Sequence, residues 1–222
     1  MATDAGDGSA SDMNDHKPFV PEISDLELLK TAWRNEKAAP EILPFQTRLV
    51  NDMKDQIQWR EETVDEFEES GNDPLTVSLY QMDLDRIQFL LRSYLRVRLQ
   101  KIEKYMFHIL KTDNLRDRLS EQEKLFARRC VDDMGNHLED TVLSKLPDNY
   151  QSVLKQSIIS EEDDMVPEPQ LDAFVAGKSR SESPLYVDIP GRGHLEMQND
   201  DLFFLHYKVV KEKVENGIIY LV

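Results

Sequence analysis

The chain has 222 residues, with 27 Lys and Arg against 43 Asp and Glu for a formal net charge of −16, which argues against broad nonspecific binding to nucleic acid or anionic membrane. Its single cysteine, Cys130, excludes an intrachain disulfide and any cysteine cluster for zinc or iron–sulfur. No run of about 18 apolar residues occurs, and the N-terminus lacks the basic and apolar regions of a signal peptide, so the expectation is a soluble protein of a reducing intracellular compartment.

Residues 1–20 are small, polar and acidic, with Gly6, Gly8 and the aspartates Asp4, Asp7, Asp12 and Asp15, the composition of a disordered tail. Phe19 and Val20 are its only nearby anchors for a partner. Ser24 and Glu27 then form a capping box, and Ile23 can staple onto Leu28. Leu26, Leu29 and Trp33 share one face of the first helix, which Pro40 and Pro44 prevent from continuing. Trp33 reads as a core anchor or as a subunit contact.

A second helix runs from Phe45 to about Glu69 through Leu49, Val50, Met53, Ile57, Val64 and Phe67. Glu61, Glu62, Asp65, Glu66, Glu68 and Glu69 crowd its end without an interleaved histidine or calcium-loop spacing, as on a solvated face rather than a metal site. Gly71 to Pro74 breaks the pattern, with Asp73 suited to an N-cap and Pro74 to the first helical position.

The longest element follows. From Leu79 to Leu110 apolar residues recur at Tyr80, Leu84, Ile87, Leu91, Tyr94, Ile102, Tyr105 and Ile109, while Leu90, Val97 and Leu99 widen the stripe. Neither Gly nor Pro interrupts it, which predicts one helix of roughly 45 Å able to serve several neighbours as a spine. From Arg86 to Arg118 there are nine Lys or Arg against three Asp or Glu. These cations can cover apolar surface and pair with acidic helices of the same chain, meet an acidic partner protein, or bind phosphate.

Asn114 to Arg118 reads as a polar turn. Ser120 and Glu123 make a second capping box, opening a helix through Leu125, Phe126, Val131, Met134, Leu138, Val142 and Leu143 that Pro147 ends, with Cys130 inside it as a buried or half-buried thiol. Residues 21–147 are thus expected to form a helical domain of four or five helices, and the proline- and acid-rich stretch 148–170 a linker.

After the linker the period shifts to two. Short strands are predicted at Leu171–Ala176, Pro184–Ile189, Asp201–Val210 and Gly217–Val222, separated by turn-rich segments. Residues 171–222 would be a small β domain with a thin core, leaning on the helices or on a neighbour. The fold class is α+β, an N-terminal α-helical bundle followed by a small, mostly β C-terminal domain.

Chemistry is sparse. There is no Walker loop, dinucleotide fingerprint, nucleophile elbow or zinc His pair, and Gly191 and Gly193 read as a hairpin turn. His16, His108, His137, His194 and His206 fall in separate segments. No catalysis and no cofactor is expected, leaving a protein that works through its surfaces.

TAWRNEKAAPEIL (Thr31–Leu43), LYQMDLDRIQFLLRSYLRVRLQKIEKY (Leu79–Tyr105), LDAFV (Leu171–Val175) and the closing GIIYLV closely resemble the Sld-five family of subunits of the eukaryotic GINS complex. The resemblance implies a nuclear replication factor, one of four related subunits in a heterotetramer that joins the minichromosome maintenance helicase ring to its cell-division-cycle cofactor. It also implies a helical domain before a small β domain. Trp33, Asn35, Glu36 and Pro40 fall in the first matching motif, Arg86, Tyr94, Arg96, Arg98, Lys101, Glu103 and Lys104 in the second, and Phe174 and Leu221 in the C-terminal ones, all as structural or subunit-interface residues. The family's N-terminal tail can recruit a replisome adaptor, but this tail has no aliphatic cluster within its acidic stretch. A self-assembling helical adaptor, or a DNA-binding module using the basic side of the 79–110 helix, remains open beside this reading.

Overall fold

A computed structural model describes residues 24–181, 183–191 and 193–222. The expectations for the acidic tail, for His16 and for the Ile23–Leu28 staple fall outside those residues.

Helix α1 spans Asp25–Ala38, and Ser24 Oγ accepts from the Glu27 N–H at 3.4 Å at its start. Helix α2, Thr47–Glu69, returns alongside it, and α3, Pro74–Lys111, begins with the proline the sequence placed there. At 38 residues α3 is about 57 Å long. It is not one uninterrupted rod. Tyr105 has φ −117° and ψ 20°, a kink without Gly or Pro to announce it.

The expected turn at Asn114–Arg118 is mostly a short helix, α4 (Asp113–Asp117), because Leu115 and Leu119 are both buried and hold the segment against α3. Helix α5 follows at Glu121–Thr141 with the full capping box: Glu123 N donates to Ser120 Oγ, and Ser120 N donates to Glu123 Oε2. It stops two residues short of Leu143, which lies in a single 3-10 turn, Leu143–Lys145; a second such turn, Asp148–Tyr150, opens the following segment.

The C-terminal part has strands β1 (Phe174–Ser179), β2 (Leu185–Ile189), β3 (Gly193–Met197) and β4 (Leu202–His206), helix α6 (Tyr207–Glu215) and strand β5 (Ile219–Leu221). Three strands form an antiparallel sheet in the order β4-β1-β5, with Gly177 opposite both Phe203 and Leu221; β2 and β3 form a separate hairpin. Two expectations need correcting. Asp201–Val210 is not one strand, because Tyr207, Val210 and Val214 recur at helical spacing and all three are buried as one face of α6. The expected hairpin turn at Gly191 is followed by a strand beyond those expected, β3, paired with β2 from Gly193 to Met197.

Three buried clusters hold the chain together. Leu29, Val50, Met53, Ile87, Leu90, Leu91 and Tyr94 join α1, α2 and the first half of α3. Ile42, Ile102, Ile109, Leu115, Leu119 and Ala127 join its second half to α4 and α5. The third contains Val175, Val187, Met197, Phe203, Tyr207, Val210, Val214, Ile219 and Leu221, and also Ala39 and Leu43 from the connection after α1. The C-terminal sheet therefore completes its core with residues from the helical part.

Candidate functional site

Where these clusters meet, α3 carries a buried arginine. Arg98 is 0 % exposed, and all five of its N–H donors have acceptors. Nε and Nη2 grip Glu123 Oε1 and Oε2 at 2.7 and 3.0 Å. Nη1 reaches Glu36 Oε2 at 2.9 Å and the Leu43 carbonyl at 2.7 Å, and Nη2 also donates to the Arg118 carbonyl at 3.2 Å. The guanidinium lies 5.2 Å from the Phe45 ring centre and 5.8 Å from that of Tyr94.

One turn on, Lys101 Nζ donates to Glu36 Oε1 at 2.9 Å, to the Glu41 carbonyl at 2.8 Å and to the Glu36 carbonyl. Arg118 Nη1 donates to the Ile42 carbonyl at 3.0 Å, and its Nη2 pairs with Glu215 of α6 at 2.7 Å. Glu41 is itself buried, and accepts from Tyr207 Oη at 3.0 Å and from Lys211 Nζ at 2.9 Å. Four cations, Arg98, Lys101, Arg118 and Lys211, thus meet four carboxylates, Glu36, Glu41, Glu123 and Glu215, and the network is neutral in sum. Each such charge loses hydration on burial, and multiple charge-assisted hydrogen bonds are what make that tolerable.

The electrostatics follow from that burial. Desolvation lowers the basicity of Arg98, but its hydrogen bonds to Glu123 and the charge of Glu36 outweigh it, and the net shift is upward. For Lys101 desolvation wins over Glu36 and the amine is held below its ordinary range. Burial pushes the Tyr94 phenol up to about 12. Burial and the adjacent Glu41 carboxylate push Tyr207 up as well. Removed from water and held by hydrogen bonds, these groups are suited to holding elements together rather than to moving protons.

The motif residues fall into two sets. Glu36, Arg98 and Lys101 are brought together in the network with Tyr94 against it. Asn35 Oδ1 accepts from the Leu221 N–H at 2.7 Å, so the end of the chain is tied to α1. Trp33 Nε1 donates to Ser93 Oγ at 3.0 Å, fixing α1 on α3, and Pro40 is half-buried in the turn after α1. Arg86, Arg96, Glu103, Lys104 and Phe174 point outward instead. Phe174 stacks on Phe204 at 5.1 Å on the exposed face of the sheet. Sequence reasoning did not single out Glu41, Arg118, Tyr207, Lys211 or Glu215. The one local signal was Glu41, a carboxylate set in the apolar, proline-bounded run Pro40–Pro44.

Among the described residues no group of three or more His, Cys, Asp or Glu is placed to hold a metal ion, and no helix is long and apolar enough to cross a membrane.

Comparison with known proteins bears on this architecture directly. Residues 49–142 match the Sld5 family model, described as the GINS complex protein helical bundle domain. The chain is 55% identical to the DNA replication complex GINS protein SLD5 of Arabidopsis thaliana, with 100% of both chains covered. It is 31% identical to the SLD5 protein of Bos taurus and 29% identical to that of Homo sapiens, each over 97% of this chain and 96% of the relative.

Proposed function

We infer that this chain, which belongs to the Sld5 family of GINS complex proteins, is a non-catalytic structural subunit of the GINS complex in DNA replication. The observation that carries this is the end-to-end likeness to SLD5 of Arabidopsis thaliana, which spans helices, connection and C-terminal sheet alike. The chain assembles with three sister subunits. Within the nucleus the heterotetramer joins the minichromosome maintenance helicase ring and its cell-division-cycle cofactor, and supports initiation and elongation of chromosomal replication. ATP hydrolysis belongs to the ring; this subunit contributes rigidity and surface.

In that role Trp33, Asn35, Glu36, Pro40, Tyr94, Arg98, Lys101 and Leu221 are framework residues that set the angle between the helical part and the C-terminal sheet. Arg86, Arg96, Glu103, Lys104 and Phe174 face other subunits. Direct DNA binding by the lone chain is disfavoured by the location of its cations: Arg98, Lys101 and Arg118 are used inside the protein, and Lys111 and Arg116 pair with Asp163 and Asp113. Few are left for phosphates, in a chain of net charge −16.

Native mass spectrometry after co-expression with the three sister subunits tests this reading. A one-to-one-to-one-to-one complex is the expected result. Homo-oligomers that ignore the sisters would replace it with the self-assembling adaptor, and salt-sensitive binding of forked DNA by the isolated chain would replace it with the DNA-binding module.

A further inference from the structure

The connection between β1 and β2 carries a dipeptide found nowhere else in the chain. Of the ten prolines only Pro184 follows a serine or threonine, and the residue before it is Ser183. Both are exposed, and they lie where the chain passes from a bend into β2. Proline fixes its own φ and biases the residue before it toward extended backbone, the form in which a kinase cleft takes up a peptide. Ser183 Oγ is 3.3 Å from Ser181 Oγ, so both hydroxyls lie on one side of the connection.

Arg180, the first residue after β1, is exposed and ties the C-terminal sheet to α1 through neutral groups. Its Nη2 donates to Thr31 Oγ1 at 2.8 Å, and its guanidinium lies 4.9 Å from the Tyr220 ring centre in β5. With Thr31 and Gly217 it lines an open groove of about 730 Å³, which leaves the side chain room to swing. Lys178, two residues earlier, is already held by Asp200 at 3.0 Å. Three residues span at most about 11 Å, a gap that an arginine and a phosphoserine side chain close between them. A phosphate dianion holds a guanidinium through charge-assisted bonds roughly twice as strong as those to a neutral hydroxyl.

We propose that Ser183 is a modification site for a proline-directed serine kinase, and that its phosphate draws Arg180 away from Thr31 and loosens the seam between α1 and β5. In the transfer Ser183 Oγ forms a bond to the γ-phosphorus of ATP, the bond from that phosphorus to the β–γ bridging oxygen breaks, ADP leaves and the hydroxyl proton passes to the base of the kinase. The same seam is held by the Leu221 N–H, which donates to Asn35 Oδ1 at 2.7 Å, so the Leu221 amide reports its opening. The proposal does not depend on the GINS reading.

The test uses the full chain in the assembly in which it purifies, incubated with a cyclin-dependent kinase and Mg-ATP. Peptide mapping by mass spectrometry should place phosphate on Ser183, and Ser183→Ala should abolish that incorporation. Hydrogen exchange in the peptide containing Leu221 should become about two- to tenfold faster after phosphorylation, the change expected for one lost hydrogen bond. Arg180→Ala should show the faster exchange without phosphate and no further change with it. An unmodified Ser183 overturns the proposal, as does phosphorylated Ser183 with unchanged exchange at Leu221, or an acceleration that is equally large in Arg180→Ala. Each of these outcomes leaves the GINS reading standing.

Discussion

Arg98 is the residue whose loss has the clearest consequence. Arg98→Met leaves Glu123 buried without its cation and Glu36 with Lys101 alone, a situation that costs about 3–5 kcal/mol. Arg98→Lys keeps the charge but replaces a five-donor fork with three donors on one atom, so it should also destabilise, by less than Met. Urea denaturation followed by circular dichroism measures both, with the order wild type, Lys, Met expected. The tyrosines give a second test. Tyr94, raised to about 12 by burial, and Tyr207, also raised, bind their protons more tightly folded than unfolded. Their contribution is complete below the unfolded value near 10 and is lost as pH climbs through the folded one. For Tyr94 alone the shift amounts to about 3 kcal/mol. A stability profile between pH 8 and 12 should fall only above about pH 10, and the fall should be shallower in Tyr94→Phe.

At the scale of elements, the C-terminal sheet has little slack. A Cβ at Gly177 would stand 2.6 Å from Phe203 Cζ and 3.1 Å from the Tyr220 carbonyl, so glycine is there for space. Gly177→Ala should cost about 1–3 kcal/mol, because the Phe203 ring must shift within a packed core. Adding Phe203→Leu should recover part of the loss, which paired melting curves would reveal. The same region shows why helix and strand were confused: FFLHYKVV is continuously apolar enough to pass as a strand, and only the burial of Tyr207, Val210 and Val214 together marks the change of period. The helices were easier. Ser120 and Glu123, and Pro74 at the first turn of α3, are local signals whose effect does not depend on distant contacts, although Asp73 before that proline makes no side-chain cap.

For the whole molecule, Ala39, Leu43 and Glu41 decide how the parts behave. The first two complete the core of the C-terminal sheet, and Glu41 is satisfied by Tyr207 and Lys211 across the same boundary. Removing residues 171–222 would therefore leave a buried carboxylate without two partners and expose apolar surface. The truncated chain should melt well below the full chain, and in the full chain far-ultraviolet and near-ultraviolet circular dichroism should report one coincident transition. Two separated transitions would show that the shared core carries little of the coupling.

The sequence by itself determined the long spine, both Ser-capped helix starts, the shift from period 3.6 to period 2 and the family resemblance, since each depends on neighbours within a few residues or on matched motifs. Tertiary structure alone decided that Arg98 and Lys101 turn inward while Arg86 and Arg96 turn outward, although all four sit on one helix. Burial of a charge depends on partners as far as 62 and 65 residues away, Glu36 being the shared one, and no local pattern encodes them. The same holds for the apolar face of α3. Leu75, Leu79, Met82 and Phe89 read as any other apolar residues until the fold shows that, among the described residues, they are left exposed.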